Sequence, residues 1–188
     1  MNAILLDFPE KIESERLYIR PCQPGDGQKV FEAIQASKKE LSQWLPFAQK
    51  HMSLDEVEEG VRKSFSKFIT REDIRLHIFR KEDDQFIGST GLHRMNWDIP
   101  KFEIGYWVDS RYAKKGYITE AASALTRFSF EFYRAKRVEI RCDPDNIDSR
   151  KIPEKLGFTL EGILRNDSLS ADGKHPRDTC VFSKIASQ

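Results

Sequence analysis

The apolar positions of this chain change their spacing several times, and each change marks an element. Arg16-Leu17-Tyr18-Ile19-Arg20 alternates and stops at Pro21, which predicts a first strand. Pro24-Gly25-Asp26 then opens a helical pattern through Val30, Phe31, Ile34 and Leu41. Ser53 with Glu56 three residues on predicts a capping box, starting a second helix with apolar positions at Leu54, Val57, Val61, Phe65 and Phe68. Residues 74–80 and 86–94 read as strands joined in a hairpin by Glu82-Asp83-Asp84-Gln85. Residues 101–108 carry apolar side chains on both faces, so this strand should be central.

From about Ile118 the spacing returns to 3.6, with Ala121, Ala122, Leu125, Phe128 and Phe132 on one helix face. Val138, Ile140 and Cys142 alternate as a further strand. A short helix over about 148–156 should close on Gly157, made irregular by Pro153 one turn inside it. Residues 158–164 and 179–185 finish as strands around a loop containing Asp172-Gly173. The order βααβββαβαββ predicts an α/β fold, a mixed sheet with helices on both faces, with residues 1–188 as a single domain.

The turn after the central strand carries the clearest chemistry. Arg111, Lys114, Lys115 and Gly116 lie beside the start of a helix. That end of the helix dipole is positive, so cations there are misplaced unless an external anion joins them. The free N–H groups of the first turn (Tyr117, Ile118 and Thr119) point at such an anion. Strand, basic glycine turn and helix together predict a phosphate-binding element.

Composition narrows what that phosphate belongs to. The 188 residues are 32% charged and 39% apolar, which is globular. A net charge of +1 gives no general field for nucleic acid, so none is expected as a partner. No apolar run approaches a membrane span and no leader pattern opens the chain, which makes the cytoplasm the expected location and a membrane partner unexpected. Cys22, Cys142 and Cys180 have no metal or disulfide spacing, and His51, His77, His93 and His175 form no H-x-x-x-H pair. No metal is expected.

The strand F-E-I-G-Y-W-V, the turn K-K-G-Y-I-T-E-A and the later N-I-D-S-R-K-I-P-E-K-L-G-F resemble the GNAT superfamily of acetyl-CoA-dependent N-acetyltransferases. R-L-Y-I-R-P near the start and F-T-L-E-G-I-L-R near the end extend the likeness over nearly the whole chain. Trp44-Leu45-Pro46 and its spacing to the later motifs look like the RimJ/RimL branch, which acetylates ribosomal-protein N-termini. The family turn pattern is Gln/Arg-x-x-Gly-x-Gly/Ala. Here those positions hold Ala113, Gly116 and Ile118, so only the central glycine matches, and Ile118 must turn its side chain into the core.

The resemblance implies a mostly antiparallel six- to seven-stranded twisted sheet and acetyl-CoA as co-substrate. The acceptor would be a primary amine, a protein N-terminus or a small amine, attacked directly in a ternary complex; a homodimer is also implied. Trp107 and Val108 would pair their backbone with the pantetheine arm and present an N–H to the thioester oxygen. Asn146 would bind the same arm, and Ser149 would stand near the sulfur and protonate the thiolate; both residue types also suit a helix cap. Glu103, alone and charged within an apolar strand, is the candidate base, with a structural pair to Arg94 as the alternative. Asp167 is its rival, displaced by one from the family's acidic position, which holds Ser168. Trp44 to Phe47 would line the acceptor channel, with His93 and Trp97 on its other wall. An antibiotic or small-amine acetylase and a CoA-binding module without chemistry are the alternative readings.

Overall fold

The computed structural model describes residues 2–186. Eight strands form one sheet in the order β1-β2-β3-β4-β5-β6-β8-β7. They are β1 (Ile12–Glu13), β2 (Leu17–Pro21), β3 (Ile74–Arg80), β4 (Phe86–Asn96), β5 (Lys101–Val108), β6 (Arg137–Cys142), β7 (Thr159–Leu169) and β8 (Pro176–Ile185). Every neighbouring pair is antiparallel except β5 and β6. The sheet exceeds the expected six or seven strands because β1, only two residues long, pairs with β2 through Ile12 and Glu13.

Two cores arise from the alternation of each strand. On one face Leu17, Ile19, Ile74, Leu76, Ile78, Phe102 and Ile104 pack with Ala121, Ala124, Leu125 and Phe128 of α5 (Tyr117–Glu131). On the other face Phe79 and Phe86 pack with Val30 and Ile34 of α1 (Gly27–Ala36) and with Val57 and Val61 further on. Short helices α2 (Lys38–Leu41) and α3 (Pro46–Gln49) lead to α4 (Leu54–Thr70), which carries those two valines. The Trp44–Phe47 turn is therefore partly helical, with Pro46 at the first helical position, where its missing N–H costs nothing.

The capping box forms as the spacing predicts. Glu56 N–H donates to Ser53 Oγ at 3.2 Å, and Ser53 N–H donates to Glu56 Oε2 at 2.7 Å. The last helix, α6 (Ile147–Lys155), holds Pro153 and ends before Gly157, whose φ of +71° needs a glycine. One aromatic differs from expectation. Phe132 is exposed because α5 ends at Glu131, while Phe130 packs against the core. Among the described residues no helix is long and apolar enough to cross a membrane.

Candidate active site

The central parallel pair is incomplete. β5 and β6 are in register at Lys101↔Arg137, Phe102↔Val138 and Glu103↔Glu139, yet β5 runs on to Val108 and β6 to Cys142. Beyond Glu103 the two strands part. Asp109 N–H donates to the Ile87 carbonyl at 2.9 Å, so odd-numbered residues of β5 turn their backbone polar groups towards β4. By alternation Tyr106 and Val108 turn theirs into the opening. An edge with exposed N–H and C=O groups accepts an extended amide chain as an added strand. The expectation for Trp107 changes accordingly, since its amide faces β4 and Tyr106 takes its place.

Across the opening stands the start of α6. Asn146 caps it, accepting from Ser149 N–H at 3.1 Å, so the capping alternative holds for this pair. Tyr106 spans the space between. Its hydroxyl donates to the Ser149 carbonyl at 3.0 Å, and Ser149 Oγ lies 3.4 Å from the same hydroxyl. Burial pushes the Tyr106 phenol well above its usual range. The strand pattern alone does not single out Tyr106, because no local spacing links it to a serine 43 residues away.

At the end of β5 the chain turns through a short 3₁₀ segment, Ser110–Tyr112, into α5. Gly116 holds φ +81°, where other residues are strained by roughly 1 kcal/mol or more. The side chains of Tyr117 and Ile118 turn into the core, leaving their N–H groups and that of Thr119 as the free first turn. Arg111 is already engaged, paired with the fully buried Asp109. Among the described residues Lys114 and Lys115 have no acidic partner and stand exposed at the rim. Arg16, nearly a hundred residues earlier, joins them. Its Nη1 donates to the Lys115 carbonyl at 3.1 Å, its Nε pairs with Glu120 at 2.7 Å, and it stacks over Tyr117.

On the opposite face of β5 lies a cavity of about 320 Å³. Leu45, Phe47, Met52 and Trp107 form its apolar walls; Arg75, Ser89 and His93 are its polar ones. Its floor is set by register. Arg75 is level with Gly91, and Gly91 with Gly105, so two adjacent strands present no side chain there. The His93 imidazole lies in the space so vacated. A Cβ on Gly91 would stand 2.8 Å from His93 Nε2, and one on Gly105 3.2 Å from it. His93 Nδ1 is fixed at 2.7 Å from Asp73 Oδ2, which leaves Nε2 over the glycine floor.

Glu103 is the cross-strand neighbour of His93, but it lines a second cavity of about 420 Å³ with Arg94, Glu139 and Arg141. Burial raises its carboxyl above the ordinary range, Arg94 lies 3.5 Å away, and its Oε2 has no hydrogen-bond partner among the described residues. Asp167 pairs with Arg141 at 3.8 Å, and Ser168 accepts from Arg177 Nε at 3.1 Å. Trp97, expected beside His93, does not line the His93 cavity. It packs against Phe102 and Tyr133 in the core on the other side of the sheet.

β5 and β6 thus part beside a glycine turn at a helix start, an arrangement suited to an extended, anionic ligand. The chain belongs to the GNAT acetyltransferase family, whose domain model matches residues 16–159. It is 32% identical to YdaF of Bacillus subtilis (strain 168), an N-acetyltransferase by name, over 92% of each chain. It is 28% identical to the ribosomal-protein-serine acetyltransferase of Escherichia coli (strain K12), over 92% of this chain and 94% of that one. The fold superposes on that of RimL, a ribosomal L7/L12 α-N-protein acetyltransferase solved with coenzyme A, with a TM-score of 0.86 at 21% identity, covering 94% and 98% of the two chains.

Proposed function

We propose that this enzyme moves the acetyl group of acetyl-CoA to the α-amine of a protein N-terminus, by direct attack with both substrates bound. The observation that carries the reading is the parting of β5 from β6 beyond Glu103, with a cavity on the opposite face of the same strand. The likeness to ribosomal-protein acetyltransferases supports a protein acceptor. The residues present fit acetyl-CoA. The Tyr106 and Val108 amides would receive the pantetheine arm, and Gly116, the α5 N–H groups, Lys114, Lys115 and Arg16 its phosphates.

When bound, acetyl-CoA supplies the acetyl group as a thioester. An N–H on the open edge of β5 meets the negative charge that develops on the thioester oxygen; one such donor is worth about 10²–10³ in rate. The attacking amine must be neutral and must lose a proton as the new bond forms. His93 Nε2 is the acceptor for that proton, held in place through Asp73. What supports His93 over Glu103 is location, since His93 shares its cavity with Trp107 and Tyr106 while Glu103 faces the neighbouring one. Tyr106 and Ser149, joined across the opening, are the groups placed to return a proton to the departing thiolate.

The test is thiol release from acetyl-CoA with N-terminal peptides, spermidine and an aminoglycoside as acceptors. Acceptor-dependent release on peptides alone is expected. Release only on small amines would overturn the protein acceptor, and none on any acceptor would overturn the catalytic reading.

A further inference from the structure

Arg75 stands in the acceptor cavity with an unused guanidinium. It lies on β3 level with Gly91 and Gly105, two strands from the reacting edge, or roughly 10 Å by ordinary strand spacing. Its side chain is half-buried and lines the cavity beside Ser89 and His93. A guanidinium has five donors. Among the described residues none of them reaches an acceptor within hydrogen-bond or ion-pair distance.

The two nearest acids are already committed. Asp73 is bound to His93 Nδ1. Asp26 accepts from both terminal nitrogens of Arg20, from Gln23 N–H and from the His77 ring. A cation partly withdrawn from water without a partner is unfavourable, and burial weakens its hold on its own proton. The His93 ring lies over Gly91, level with Arg75, and both line one cavity of about 320 Å³, so a single small ligand can meet the two.

We infer that the acceptor carries a carboxylate, which pairs with Arg75 while its amine lies at His93. The enzyme is therefore selective for amines bearing an acid a few bonds away. A peptide with Glu or Asp at its first or second position has this chemistry, and so does a free acidic amino acid. The inference rests on the acetyltransferase reading for the position of the amine, but the anion site can be tested without turnover.

The probes are product peptides, acetyl-Glu-Ala-amide and acetyl-Gln-Ala-amide, with N-acetylglutamate as the free amino-acid arm. Each is titrated against the full chain in the presence of CoA. The acidic peptide should bind at least about tenfold more tightly than its amide twin, the scale of one charged hydrogen-bonded contact. Arg75→Gln should erase that ratio, and Arg75→Lys should restore part of it if Arg75→Gln is disturbed in folding. Equal binding of Glu and Gln peptides, or a ratio that survives Arg75→Gln, overturns the anion site. Tighter binding of N-acetylglutamate than of the peptide keeps the site and assigns it to free amino acids. Acetyl transfer to the unacetylated twins is then measured separately, so that loss of chemistry and loss of the anion preference are distinguished.

Discussion

His93 Nδ1 and Asp73 Oδ2 lie 2.7 Å apart, and that contact fixes which ring nitrogen is left free beside the cavity on β5. Nε2 is left above the Gly91–Gly105 floor, and the ring lines the cavity.

A variant His93→Gln should therefore lose about 10²–10⁴ in kcat, the usual worth of a positioned general base, with acetyl-CoA affinity little changed. Asp73→Asn should lose less, because it weakens orientation while sparing the reacting nitrogen. Glu103→Gln should keep most of the rate. Steady-state kinetics with direct titration of acetyl-CoA checks all three, and a larger loss at Glu103 than at His93 would reverse the assignment.

Tyr106 and Ser149 should behave as one unit, since the Tyr106 hydroxyl meets both the carbonyl and the Oγ of Ser149 across the opening. Tyr106→Phe and Ser149→Ala should each slow turnover, and the double variant should be scarcely slower than the worse single one. Additive losses in the double-mutant cycle would show two independent roles.

The Gly116 turn, proposed to hold phosphate, makes a prediction about binding alone. Gly116→Asp adds a negative charge at the helix start and a side chain at φ +81°. Acetyl-CoA affinity should fall by at least about a hundredfold, from lost backbone approach together with repulsion of the anion. Gly116→Asn, which tolerates this backbone without the charge, should fall less. Unchanged affinity in Gly116→Asp, measured by calorimetry, would remove the turn from the site.

Acid stability should be governed first by His77. It is fully buried, its Nδ1 lies 2.8 Å from Asp26, and burial outweighs that contact to hold its pKa near about 4 against the ordinary 6.5. Burial works against ionised Asp26 too, but its bonds from His77, Arg20 and Gln23 prevail and keep the carboxyl well below 3.8. A folded pKa below the unfolded one means that the unfolded chain takes up the proton first. His77 thus contributes stability that is complete above about pH 6.5 and lost as pH falls towards 4, on the order of 3 kcal/mol. Asp26 contributes stability that is complete above its unfolded value of 3.8 and is lost only as pH falls below it. Thermal melts between pH 7 and 4 should show a falling Tm in the wild type and a flatter profile in His77→Gln. Parallel profiles would place the acid-labile group elsewhere.

Much of this molecule is legible from its chain. The apolar residues on both faces of β5 and the 3.6 spacing of α5 place the central strand and the helix beside it, because burial on both faces or on one stripe leaves a direct mark on residue type. Ser53 and Glu56 mark a helix start for a similar reason, as a cap is a contact between residues three apart. The cationic turn around Gly116 is visible because its parts are consecutive. Contacts between near neighbours along the chain leave a pattern in the chain itself.

The rest depends on register between distant segments. Arg16 reaches the Gly116 turn from just before β2, Asp73 orients a histidine twenty residues away, and Tyr106 meets Ser149 across a gap that exists only because two strands part. Glu103 resembles a base in its isolation within an apolar strand, yet which cavity it lines is decided by β6 and β8 packing beside it. Local spacing encodes which face a residue takes. Only the folded sheet, by setting strand order and register, decides what stands opposite that face.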